Sequence, residues 1–163
     1  MPIIKNRQIV EDDWRTLADD ADSDPGPGDI IVPYAYWQAH RDSLLKRNTR
    51  LGVKLAPDEG PELIKDDLAH FDVVALHFPT FRDGRHYSHA RLLRERYGYT
   101  GELRATGDVL RDQIFFMQRC GFDAFAPNPE HDIEDVLAGF DDFSITYQPA
   151  ADESRPLFRR RSA

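Results

Sequence analysis

The sequence predicts an α/β fold: a parallel sheet of about five strands, made from repeated βα units and curved into a partial barrel with helices outside. Three observations carry this. Short apolar runs alternate with stretches of helical spacing from Val53 to Tyr147, the pattern of successive β–α–β units. Polar residues recur inside the strand candidates, at Lys54, at His77, and at Glu102, Arg104 and Thr106, and a period of two puts the last three on one face. The alternative, an open doubly wound sheet, needs both faces apolar, so the polar positions favour a curved sheet with a polar inner mouth. Its uncovered face and edges then call for the N-terminal segment or a second subunit. The third observation is length. At 163 residues the chain fits a single domain of roughly 100–200 residues and falls short of the roughly 250 that a complete eight-stranded β/α barrel needs.

The expected organisation is N-terminal extended segments over residues 1–18, a flexible acidic loop over 19–29, a βα core over 30–148 and a fraying tail over 149–163. Ile3 to Trp14 reads as extended chain around the polar turn Lys5-Asn6-Arg7. The loop from Asp19 to Asp29 is acidic and rich in glycine and proline, so it has little apolar surface to bury. Val53 to Ala56 reads as a strand and Pro61 to Phe71 as a helix, with proline in the first turn, where its missing N–H costs nothing. Val73 to Phe78 is the strongest strand. Ser88 to Tyr97 reads as a helix capped by Ser88, striped by Ala90, Leu93 and Tyr97, and stopped by Gly98. Leu103 to Thr106 is the next strand. Asp108 then caps a helix whose stripe is Leu110, Ile114, Met117 and Cys120, closed by Gly121. Ala124 to Ala126, a helix over about 131–140, and Ile145 to Tyr147 complete the series. Little periodicity follows Pro149, and the basic triplet Arg159-Arg160-Arg161 reads as a solvated tail.

Composition narrows the function classes. The net charge of −8 makes nucleic acid a poor partner, because that affinity comes from Lys and Arg neutralising phosphates. No stretch approaches the ~20 apolar residues of a membrane span, and the start lacks the apolar run of a signal peptide. A cytoplasmic location is expected, and one unpaired cysteine agrees with it. A single cysteine cannot supply the thiolates of an iron–sulfur cluster or a dithiol centre by itself. The dinucleotide and phosphate-loop glycine motifs are also missing, so neither standard nucleotide site has support.

In parallel α/β folds ligands sit beyond the carboxyl ends of the strands, and two such loops concentrate polar groups. One, Pro79 to Ser88, is longer than the usual 2–6 residues of a βα loop and carries Arg82, Asp83, Arg85, His86 and Tyr87. The other is Arg104 to Asp108. Free N–H groups at two helix starts, with the guanidinium forks of Arg85 and Arg104, are the chemistry of an anion site. Its predicted ligands are Arg85, Ser88, Arg104, Thr106 and Gly107, backed by Tyr87 and Gln113. Asp83 and Asp108 are the acid–base candidates, with His77 a third. The same residues also have a purely structural reading: Asp83-Gly84 is a tight turn, Ser88 and Asp108 are helix caps, and Arg85 and Arg104 pair with Asp83 and Glu102.

His86 and His89 would meet a metal only if the loop bent both inward, and no HExxH motif or clustered ligand set accompanies them, so no metal site is expected. Cys120 lies near a helix C-terminus, where the negative dipole end disfavours a thiolate, and reads as core. Trp14 and Trp37 read as packing residues. Phe115 and Phe116 point in different directions on their helix, which leaves one to face a partner surface.

The run from Phe78 to Arg96, the run Gly101-Glu-Leu-Arg-Ala-Thr-Gly-Asp-Val-Leu-Arg-Asp-Gln113 and the short stretch from Arg119 to Asp123 resemble the signature of a bacterial family known as domain of unknown function 934. The resemblance extends from about Ile30 to Gln148. It implies an association with assimilatory sulfite reduction, because members are commonly encoded near sulfite or nitrite reductase. The expected function is therefore an accessory protein that binds a small oxyanion, the reductase, or both. An oxidoreductase with a bound organic cofactor, its identity unknown, is the first alternative. A non-catalytic structural binding module is the second. A homodimer is expected from the uncovered sheet.

Overall fold

A computed structural model describes residues 1–19 and 25–160. Eight strands form one curled, half-barrel sheet: β1 (Pro2–Lys5), β2 (Gln8–Glu11), β3 (Arg15–Thr16), β4 (Ile30–Pro33), β5 (Leu51–Leu55), β6 (Val73–Phe78), β7 (Glu102–Gly107) and β8 (Ala124–Ala126). Their order is β2-β1-β8-β7-β6-β5-β4-β3. From β3 to β8 every neighbour is parallel, whereas β1 joins β8 and β2 in antiparallel fashion. The expectation of about five parallel strands is therefore corrected to a mixed sheet of eight. Four strands join the expected set, the two of the N-terminal hairpin, which reads only as extended chain in isolation, and the short β3 and β4, while the strand expected at Ile145 to Tyr147 drops out of it. The hairpin turns at Asn6 and Arg7, both with positive φ (51° and 62°), the conformation that matches a two-residue turn to strand twist.

The helices are α1 (Tyr34–Leu44), α2 (Arg85–Arg91), α3 (Arg111–Cys120), α4 (Ile133–Ala138) and the single turn α5 (Leu157–Arg160). Several boundaries differ from expectation. The region 61–71 holds two 3₁₀ turns, Pro61–Leu63 and Leu68–His70, rather than a helix. The helix read from Ser88 starts at Arg85, three residues earlier, and passes into a π turn over Leu92–Arg96, where the Tyr97 N–H donates to the Leu92 carbonyl. Leu110, not Asp108, precedes α3, because the Asp108 carboxylate is engaged elsewhere. Ile145 to Tyr147 is not a strand. The tail is bonded where it is described: Arg119 pairs with Asp152, and Arg160 donates to the Thr146 carbonyl. Within the acidic loop, residues 20–24 lie outside the described residues, as does Arg161 of the basic triplet.

The period-two pattern divides the sheet as expected. Val53, Leu55, Val74, Leu76, Phe78, Leu103, Ala105 and Phe125 point to the helices and join Trp37, Ala90, Leu93, Ile114 and Met117 in one buried core. Cys120 belongs to it, and burial raises its thiol pKa to about 11. The opposite, inner face carries a small apolar cluster of Ile31, Val73 and Ala75, on which Trp14 packs. The N-terminal segment thus covers part of the inner face, and the polar residues occupy the rest.

Candidate functional site

Arg104 is the centre of the inner face. It projects from β7 with a side chain only 2% exposed; its Nε donates to Glu102 (2.6 Å) and its Nη1 to Asp12 (2.9 Å). Lys5 closes the group with a 2.7 Å pair to the second oxygen of Glu102. Glu102 and Arg104 are two apart on one strand, hence on one face. Asp12 arrives from the segment after β2, 92 positions away. Two cations and two carboxylates balance, so the network desolvates without leaving a net charge. Arg104 Nε and Nη1 are thereby both engaged by carboxylates.

Above this floor lies an open cleft of 570 Å3 at the carboxyl ends of β5 to β8, with Met1, Ile3, Asp12 and Thr16 contributing one wall. Its polar lining includes Lys54, His77, Arg104, Thr106 and Asp108. His77 is half-buried, with Nδ1 3.3 Å from the Thr106 hydroxyl. Burial first, and the Lys54 ammonium second, hold its pKa below the usual histidine value, with Asp19 opposing. Lys54, 15% exposed, reaches Asp19 at 2.5 Å. Gly107 ends β7 with φ +89°, and a Cβ there would run into the Phe78 carbonyl and the His77 ring. The glycine lets the chain turn tightly over the imidazole.

The two loops singled out from the sequence do meet, through Asp108 rather than through arginines. The Phe81 N–H donates to Asp108 Oδ2 at 2.7 Å, and the Asp108 N–H donates to the Phe78 carbonyl at 2.8 Å. Gln113 accepts from the Leu110 N–H and donates to the Phe81 carbonyl. Of the predicted anion ligands, Arg104, Thr106 and Gly107 line the cleft, whereas Arg85 and Ser88 do not. Arg85 makes a bidentate pair with Asp83 on the surface and holds that carboxyl pKa down at about 2. Asp83 is therefore a fixed anion at neutral pH. Ser88 lies beside a separate surface groove with Arg91 and Glu95. Tyr87 packs between Phe78 and Phe116, and burial raises its hydroxyl pKa to about 12. Phe116 is 57% exposed and Phe115 stacks on Phe143, so the pair does point two ways.

His86 is 1% exposed. Its Nδ1 lies 3.1 Å from His89 Nδ1, the ring also approaches the Leu55 backbone, and burial lowers its pKa to about 4. Among the described residues, no group of three or more His, Cys, Asp or Glu side chains could hold a metal ion. Sequence reasoning missed Asp12 and Asp19, whose roles depend on contacts 92 and 35 positions away; no local signal marks them.

The family described as "Bacterial protein of unknown function (DUF934)" matches residues 52–158. The chain belongs to this family. The match includes nearly all of β5, all of β6 to β8, and the cleft residues Lys54, His77, Arg104, Thr106 and Asp108. Asp12 and Asp19 precede the matched DUF934 span. No curated protein and no solved structure matches the chain, and among the described residues no helix is long and apolar enough to cross a membrane.

Proposed function

We propose that this protein binds a small oxyanion in the inner cleft and serves assimilatory sulfite reduction as an accessory protein. The observation that carries the binding half is the juxtaposition of Lys54, His77 and Thr106 at adjacent strand ends, open to solvent through one 570 Å3 cleft. An ammonium, a hydroxyl and an imidazole N–H are all donors to anionic oxygen. The anion takes the Lys54–His77–Thr106 corner, with the Arg104 network as its rigid floor and the Gly107 backbone at its edge. The sulfite half rests on the family resemblance alone. The reductase is the proposed protein partner, and a homodimer would cover the sheet edges at β2 and β3.

Calorimetric titration with sulfite, paired with sulfite-reductase assays with and without the protein, tests this. Saturable binding that is lost in Lys54→Met, together with a change in reductase turnover, is expected. Absence of both effects would refute the proposal.

One observation favours a second reading. The cleft volume falls within the ~300–1,000 Å3 of small-molecule sites, so an organic cofactor would fit an oxidoreductase there, with Asp108 at its rim. A flavin or haem band in the spectrum of the isolated protein would support that reading over the accessory one.

A further inference from the structure

Two basic side chains line the cleft among the described residues, and they are held very differently. Arg104 is locked by Glu102 and Asp12, whose side chains are 6% and 16% exposed. Lys54 is itself 15% exposed, yet its partner Asp19 is 74% exposed, at the rim and outside the cleft lining. Asp19 follows β3 by three residues, where the chain leaves the sheet. Its carboxylate also lies within electrostatic range of His77. A carboxylate from the chain's own rim therefore rests on the groups that the oxyanion needs.

We infer that Asp19 is a tethered competitor for the anion seat: its carboxylate occupies the Lys54 ammonium until a small free oxyanion displaces it. This rests on the oxyanion reading above and adds to it how the site is kept filled and what it selects. The pair has the character of a weak latch. With the carboxylate mostly in water, its attraction to Lys54 is partly screened, and releasing it costs less than releasing a buried partner. The incoming anion exchanges one ammonium–carboxylate contact for another and releases Asp19 to solvent. A tethered carboxylate resists weakly held anions that cannot outcompete it. The fraction of molecules with Lys54 free sets the apparent affinity.

The test is calorimetric titration of sulfite and of acetate into the full chain as wild type, Asp19→Asn, Lys54→Met and the Asp19→Asn/Lys54→Met double variant, each checked by its melting curve. Tighter sulfite binding by Asp19→Asn, about two- to fivefold given the weakness of exposed pairs, is expected. The gain must vanish in the Lys54→Met background. Equal affinities for wild type and Asp19→Asn would overturn the tethered competitor while leaving the oxyanion site standing. An unchanged gain in the double variant would also overturn it, since Asp19 would then act elsewhere. Absence of sulfite binding by every variant, all folded, would overturn both the competitor and the site beneath it.

Discussion

Arg104 sets its guanidinium between Glu102 and Asp12, with Nε and Nη1 each donating to a carboxylate. Removing one member of a buried ionic group leaves the others uncompensated, which costs about 3–5 kcal/mol. Arg104→Met is therefore expected to lower unfolding stability by about that much, measured by urea denaturation; a midpoint matching wild type would show that the network carries no stability. His86 gives a pH signature. Its folded pKa of about 4 lies below its ordinary value of 6.5, so below pH 6.5 the unfolded chain holds more protons than the folded one. Its stabilising contribution is full above pH 6.5 and is lost as the pH falls toward 4. Between pH 6.5 and 5 the loss is about 1–2 kcal/mol. His86→Phe is expected to flatten that part of the stability–pH curve, and an unaltered slope would assign the acid sensitivity to other groups. At this scale the sequence was legible where partners are near in the chain. Arg85 with Asp83 and Arg104 with Glu102 are each two positions apart and were anticipated as structural pairs. Asp12 was illegible because only the N-terminal hairpin brings it to β7.

The junction between β7 and α3 shows what an element boundary contributes to the site. Gly107 has φ +89° with His77 and the Phe78 carbonyl against its missing Cβ. Gly107→Ala combines a left-handed strain with a clash, and the strain alone is worth about 1–3 kcal/mol. It is expected to lower the melting temperature and to shift the His77 ring resonances; an unperturbed His77 would mean that the turn does not hold the imidazole. The strands of the matched core were legible because their apolar runs alternate cleanly with polar inner positions. Gly121, at φ +114°, ended α3 as the glycine stop signal indicated. The helix expected over 61–71 was illegible for a definite reason. Pro61, Ile64 and Leu68 are all buried, and that spacing satisfies an α-helix and two successive 3₁₀ turns equally. α1 leaves little trace in the sequence because only its Trp37 and Leu44 are buried, which is too few to make a stripe. Ile145 and Tyr147 alternate like a strand but are 69% and 72% exposed, with no neighbouring ladder to pair them.

On the scale of the whole molecule, six parallel strands curl so that the helices cover the outer face, while the inner face keeps a balanced ionic floor and a donor-lined mouth. The hairpin at one end and Trp14 on the inner cluster give the half-barrel a partial lining from its own N-terminal segment. This division was readable from the period-two pattern. The separation of the two arginines was not, because only the folded chain shows that β7 points Arg104 inward while α2 carries Arg85 on the surface. The most direct measurement is a nitrogen-15 NMR titration of the histidine side chains and backbone with sulfite. If the cleft is the oxyanion site, the His77 ring and the amides of Thr106, Gly107 and Asp108 shift saturably, while those of Arg85 and Ser88 stay still. Shifts confined to Arg85 and Ser88, or no saturable shift at His77, would contradict it.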